Sequence, residues 1–146
     1  NSYFRRNYHA SSLLLPDGRV LTAGGDAWNA EIFYPPYFFT KDIDNKTVLA
    51  DRPEIINIKE NIKRGETVDI EFNGEVSRVT LLSTGSTTHA QGSESKFRNV
   101  NFIKVTNNKI EIELDSNPNN IQNGPYLLFL LDSSGTPSEG KIVFVN

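Results

Sequence analysis

The chain has 146 residues, a formal net charge of −3, no cysteine, no methionine and one tryptophan, a length that fits one domain or one small domain plus a fragment. With 37% hydrophobic and 10% aromatic residues it can fill a core, which excludes a disordered tail. The longest apolar run, Tyr126–Leu131, is too short for a membrane span, no Lys/Arg cluster suits nucleic acid, and zero cysteines exclude disulfides, thiolate zinc and Cys nucleophiles.

The first residue is Asn rather than Met, which fits a processed chain or a piece of something longer. Ala10–Leu15 is an apolar run, and Pro16-Asp17-Gly18 is a turn, with Pro presetting φ and Gly accepting a positive φ. Arg19–Ala23 follows as a second strand, broken by Gly24-Gly25, and Ala30–Tyr34 is a third, stopped by Pro35-Pro36. Such a meander resembles most of a propeller blade, so residues 1–39 are expected to form a partial kelch-like β-propeller blade. One small sheet cannot bury both faces or protect its edges, and it needs neighbours that this sequence does not contain. Residues 40–51 are polar, carry no sustained periodicity, and are expected to be a linker.

From Arg52 onward strand signals recur at nearly regular spacing. They are Glu54–Ile58, Glu66–Phe72, Val76–Ser83, Phe102–Thr106, Lys109–Leu114, Tyr126–Asp132 and Lys141–Val145. Val68, Ile70 and Phe72 alternate with Asp69 and Glu71, and Ile110, Ile112 and Leu114 with Glu111 and Glu113. Asn107-Asn108 suits a tight hairpin, and no stretch has a helical period. The expectation is an all-β chain whose residues 52–146 form an immunoglobulin-like β-sandwich of about seven strands.

The segment Thr84–Lys96 is too long for an ordinary hairpin loop, and loops above about 12 residues are usually functional or disordered. It carries His89, one of only two histidines. The other, His9, follows Tyr8 at the mouth of the first strand. Neighbouring residues in a regular strand point to opposite faces, so Tyr8 and His9 can share a site only at a strand end or bulge. Each histidine alone reads as an ordinary solvated or hydrogen-bonded side chain. Together they require the long loop to fold back onto the first region. Two imidazoles and a tyrosinate then form a nitrogen/oxygen set that suits copper(II) better than structural zinc.

Other motifs carry less. Asp42-Ile43-Asp44-Asn45 lacks the glycine and the distal glutamate of a calcium loop. Gly24-Gly25 precedes no Gly-Lys-Ser/Thr phosphate motif, and no histidine stands beside Ser11-Ser12 or Ser133-Ser134 for serine hydrolysis. Asn45-Lys46-Thr47 is a glycosylation acceptor pattern, meaningful only in a secreted eukaryotic protein. The aromatic run Phe33–Phe39 is either a sugar platform or the apolar seam between the two regions.

Read in order, Tyr8-His9-Ala10-Ser11-Ser12-Leu13-Leu14-Leu15-Pro16-Asp17-Gly18-Arg19-Val20, Gly24-Gly25, Glu31–Tyr37, Arg52-Pro53-Glu54-Ile55 and Gly85-Ser86-Thr87-Thr88-His89 resemble a known family. It is the C-terminal part of the galactose oxidase and glyoxal oxidase family of copper radical oxidases, from the last propeller blade through the immunoglobulin-like "early set" domain. The resemblance implies that Tyr8 is the axial tyrosine and base toward the substrate hydroxyl, and that His9 and His89 are equatorial copper ligands. It also implies a radical-bearing Cys-Tyr cofactor on propeller blades absent from this chain, and a secreted or cell-surface parent. The implied reaction oxidises a primary alcohol or aldehyde with O2, giving hydrogen peroxide. Ala10 stands where the family commonly has Ser, and Ser95-Lys96 where it usually has Gln-Arg. The rival reading is a non-catalytic relative acting as a structural or carbohydrate-binding surface module. Neither reading calls for a nucleic acid or a membrane span.

Overall fold

The computed structural model describes residues 4–88, 91–93 and 95–146. Strands β1 (Ala10–Leu14), β2 (Val20–Gly24) and β3 (Ala30–Phe33) form an antiparallel meander in that order. Its first turn closes where the Gly18 N–H donates to Leu15 O at 2.9 Å and the Leu15 N–H to Arg19 O at 2.8 Å. Gly18 takes φ +89 there, a conformation open to glycine at no steric cost.

A 3-10 turn at Pro36–Phe38 leads into a hairpin of β4 (Phe39–Lys41) and β5 (Thr47–Leu49). The stretch read as a linker thus holds paired strands. Asp42 makes the bend, its Oδ1 accepting from the Asp44 N–H at 2.9 Å and the Lys46 N–H at 2.8 Å, while Asn45 turns through φ +59.

The remaining strands are β6 (Glu54–Ile58), β7 (Asn61–Ile62), β8 (Thr67–Asn73), β9 (Arg78–Ser83), β10 (Ser86–Thr88), β11 (Gln91–Ser93), β12 (Phe97–Val100), β13 (Phe102–Thr106), β14 (Lys109–Glu113), β15 (Gly124–Leu131) and β16 (Lys141–Val145). They build a sandwich of a five-stranded sheet, β12-β9-β15-β16-β7, on a four-stranded sheet, β13-β14-β8-β6. All seven expected strands are present, joined by β7 and β12 at the edges of the five-stranded sheet. The alternation read in β8 and β14 is the inward face: Val68, Ile70, Phe72, Ile110 and Ile112 meet Val79, Leu81, Leu128, Leu130 and Val143 in one core. The β13–β14 hairpin turns at Asn107-Asn108.

Strand β15 departs from alternation. Tyr126, Leu128 and Leu130 face the core, yet Leu127 and Phe129 on its other face are buried too. Residues of the first region lie over Phe129 on that face. Leu14, Gly18 and Tyr37 line a common apolar crevice with Thr80, Leu82, Phe129, Leu131 and Pro137. An uninterrupted apolar run is what a strand buried on both faces requires.

Arg52 ties the layers together. Its Nε donates to Pro137 O at 2.7 Å, and its Nη2 donates to Asp17 O at 2.8 Å and Ser138 O at 2.7 Å. The guanidinium stacks 4.8 Å from the Phe38 ring centroid, and burial pulls its pKa below the ordinary arginine value. Phe38 is buried against Tyr34 and Tyr37, and the Tyr37 hydroxyl donates to Gly18 O. Within the aromatic run, Tyr37 and Phe38 therefore form a seam at this junction, while Phe33, Tyr34 and Phe39 are exposed.

Candidate functional site

The chain enters β1 through a tight turn. The Ala10 N–H donates to Asn7 O at 3.3 Å, which makes Tyr8 and His9 the two central residues. His9 has φ +67, a region that non-glycine residues enter at a cost of about 1–3 kcal/mol and that marks functional positions when the surroundings enforce it. The turn abolishes strand alternation, and the Tyr8 and His9 rings lie with centroids 4.0 Å apart, tilted by 58°. Both residues are exposed, Tyr8 to 64%. The sequence constraint that the pair needs a strand end is met by this turn.

Three features hold it. The carbonyl of His9 rests on Gly24, where an added Cβ would come within 2.8 Å of His9 O, and a Cβ on Gly25 would come within 3.1 Å of Asn7 N. The glycine pair, read from sequence as a strand break, is thus the floor of the turn. The Asn7 side-chain amide donates to the Asp26 carboxylate. Arg6, which sequence reading passed over, inserts a side chain only 5% exposed and hydrogen-bonds Gly24, Asn29 and Glu31. Its partners lie 18 to 25 residues away, so no local pattern signals it.

The long loop folds back as the first region requires. Strands β10 and β11 pair with each other, and both lie against β1, the strand that His9 precedes. His89, between Thr88 and Gln91, lies outside the described residues. Among the described residues no group of three or more His, Cys, Asp or Glu side chains is placed to hold a metal. What the turn offers is one imidazole and one phenol side by side and open to solvent. That donor pair fits a nitrogen/oxygen copper(II) site in part, with further ligands needed.

The other motifs serve structure. Asp17 pairs with Arg19 at 2.6 Å, and this hydrogen bond holds the Asp17 carboxyl below its ordinary pKa. Asp42 spends its carboxylate on the β4–β5 turn.

Residues 52–145 match the sequence profile of the galactose oxidase-like early set domain. Galactose oxidase of Gibberella zeae is 28% identical over 149 aligned residues, covering 96% of this chain and 21% of that protein. Aldehyde oxidase GLOX1 of Arabidopsis thaliana is 27% identical, covering 93% of this chain and 25% of its own length. The chain thus spans about a fifth to a quarter of the curated relatives it matches. A solved fungal alcohol oxidase of the AA5 family, in complex with copper, superposes with a TM-score of 0.86 at 19% identity, over 99% of this chain and 32% of that one. At that identity the superposition speaks for the fold.

Proposed function

The chain belongs to the galactose oxidase-like early set family, and from that premise we propose that it is the C-terminal portion of a copper-dependent oxidase acting on primary alcohols or aldehydes. The observation that carries this reading is the enforced turn that sets Tyr8 and His9 together beside the returning β10–β11 hairpin. In this reading residues 1–39 complete a propeller blade, and the parent's other blades cover the exposed side chains of Leu13, Ile32 and Phe33. In this reading the parent is secreted or at the cell surface, as the resemblance implies.

Tyr8, His9 and His89 would hold copper, with a Cys-Tyr group supplied by other segments, since these 146 residues contain no cysteine. Bound there, copper and that group supply two-electron redox chemistry: the alcohol becomes an aldehyde, or the aldehyde hydrate an acid, and O2 becomes hydrogen peroxide. The chain's own residues do the positioning and proton work. His9, pinned by its backbone, presents its imidazole as a nitrogen donor beside Tyr8. Tyr8, exposed on the same turn, would act as a tyrosinate, accepting the proton of the substrate hydroxyl to become the phenol.

The test uses the full-length parent. Wild type should bind copper(II) with nitrogen hyperfine structure in its paramagnetic resonance spectrum and release peroxide from a primary alcohol or an aldehyde. His9→Ala and His89→Ala should lose both, and the 146-residue chain alone should release none. A parent that neither binds copper nor makes peroxide refutes the reading.

A further inference from the structure

We infer that Arg6 is the positioning residue of the Tyr8–His9 turn, an inference that rests on the reading of that pair as copper-binding. A guanidinium has five N–H donors in a rigid planar fork, and all five of Arg6 are engaged. Nε and Nη2 donate to Glu31 Oε2 at 3.3 and 3.1 Å, Nη2 also to Asn29 Oδ1 at 2.6 Å, and Nη1 to Gly24 O and Asn29 O at 3.1 and 3.0 Å. The side chain is 5% exposed although the turn beside it is open to water.

The location argues for more than stability. Arg6 lies outside the sandwich core, two residues before Tyr8, and contacts the last residue of β2 and the entry to β3. Gly24 is at once an acceptor for Arg6 and the floor under the His9 carbonyl. The guanidinium therefore fixes the segment before the turn and the surface beneath it in one frame. A residue in the left-handed region stays there only when its surroundings over-determine it, and at His9 those surroundings are Gly24 and the frame that Arg6 builds. This is how outer residues orient metal ligands elsewhere, where removing one weakens metal affinity or activity roughly 10–100-fold.

The experiment compares Arg6→Ala, Arg6→Lys and His9→Ala in the full-length parent. Three readouts are taken: copper(II) affinity with the paramagnetic resonance spectrum, hydrogen exchange across residues 7–10, and thermal midpoint. Arg6→Ala should weaken copper binding roughly 10–100-fold, alter the spectrum and speed exchange across the turn. Arg6→Lys keeps the charge but has three donors, and should recover part of the affinity. If Arg6→Ala keeps wild-type affinity and spectrum while His9→Ala loses copper, the inference is overturned, even where the midpoint falls. If His9→Ala binds copper as wild type does, it is the copper reading that fails. Exchange then decides on Arg6: faster exchange upholds its positioning role, and unchanged exchange overturns it. Should Arg6→Ala not fold, Glu31→Gln removes the carboxylate that takes two of the five bonds and carries the same comparison.

Discussion

Replacing Arg52 with alanine should loosen the first sheet from the sandwich while leaving the sandwich core intact. The substitution deletes the bonds to Pro137, Asp17 and Ser138 carbonyls and the stacking over Phe38. Hydrogen bonds from a charged donor contribute about 1.5–3 kcal/mol each, and a partly desolvated cation over an aromatic ring adds about 0.5–2 kcal/mol. Against these stands the desolvation of the guanidinium itself, visible in its lowered pKa, and water can reach the freed carbonyls at this half-buried site. The net loss should be about 3–4 kcal/mol. Hydrogen exchange localises it. The Gly140 N–H, bonded across the junction to Pro16 O at 2.7 Å, should exchange at least about a hundredfold faster, while Leu128 in the core keeps its rank. Arg52→Lys keeps the charge but lacks the fork that reaches three carbonyls, and should recover less than half of the loss. A loss under about 1 kcal/mol with unchanged protection of Gly140 would refute the argument that Arg52 joins the layers.

Further perturbations probe other levels. Gly24→Ala places a Cβ 2.8 Å from His9 O at φ +81, and should lower stability by about 1–3 kcal/mol in a thermal melt, because backbone rather than a side chain must yield. Ile70→Ala, at a fully buried core position, should cost about 2–5 kcal/mol, read as a lower urea midpoint at an unchanged slope. Asp17 is held below its ordinary pKa by Arg19, so its contribution is fully present above the unfolded value of 3.8 and is lost as pH falls through the lower folded value. Asp17→Asn should remove part of the acid limb of a stability–pH profile, with Glu66 and Asp115, likewise lowered, supplying the rest. Trp28, the only tryptophan, is fully exposed, so its emission in the isolated chain should barely shift on unfolding, whereas burial under propeller blades would blue-shift it in the parent.

What the sequence made legible follows from range. Val68-Asp69-Ile70-Glu71-Phe72 declares a half-buried strand within five residues, because the pleat writes burial into every second position. Phe97-Arg98-Asn99-Val100 turns only Val100 inward, and β7 spans two residues that earn their place by parallel pairing with β16, so neither had a local signature. The β4–β5 hairpin had a cue in Asp42 through Asn45, whose turn chemistry stood out less than the surrounding polarity. At the site, Tyr8 and His9 were readable as chemistry, since histidine is rare here. Arg6 was not, because its partners Asn29 and Glu31 become neighbours only once β3 folds back.

Strand β15 has a consequence for where this protein divides. Its sequence profile begins at Arg52, as though everything after that residue were a separable unit. Yet Phe129 is sheltered by residues that precede the border, and the Arg52 side chain itself grips a carbonyl at Asp17. β15 is a party wall, plastered on both sides. A chain cut just before Arg52 would keep every residue of the profile and lose the shelter, presenting a bare apolar strip that invites self-association. The piece that inheritance copies as one block is therefore smaller than the piece that water will tolerate alone.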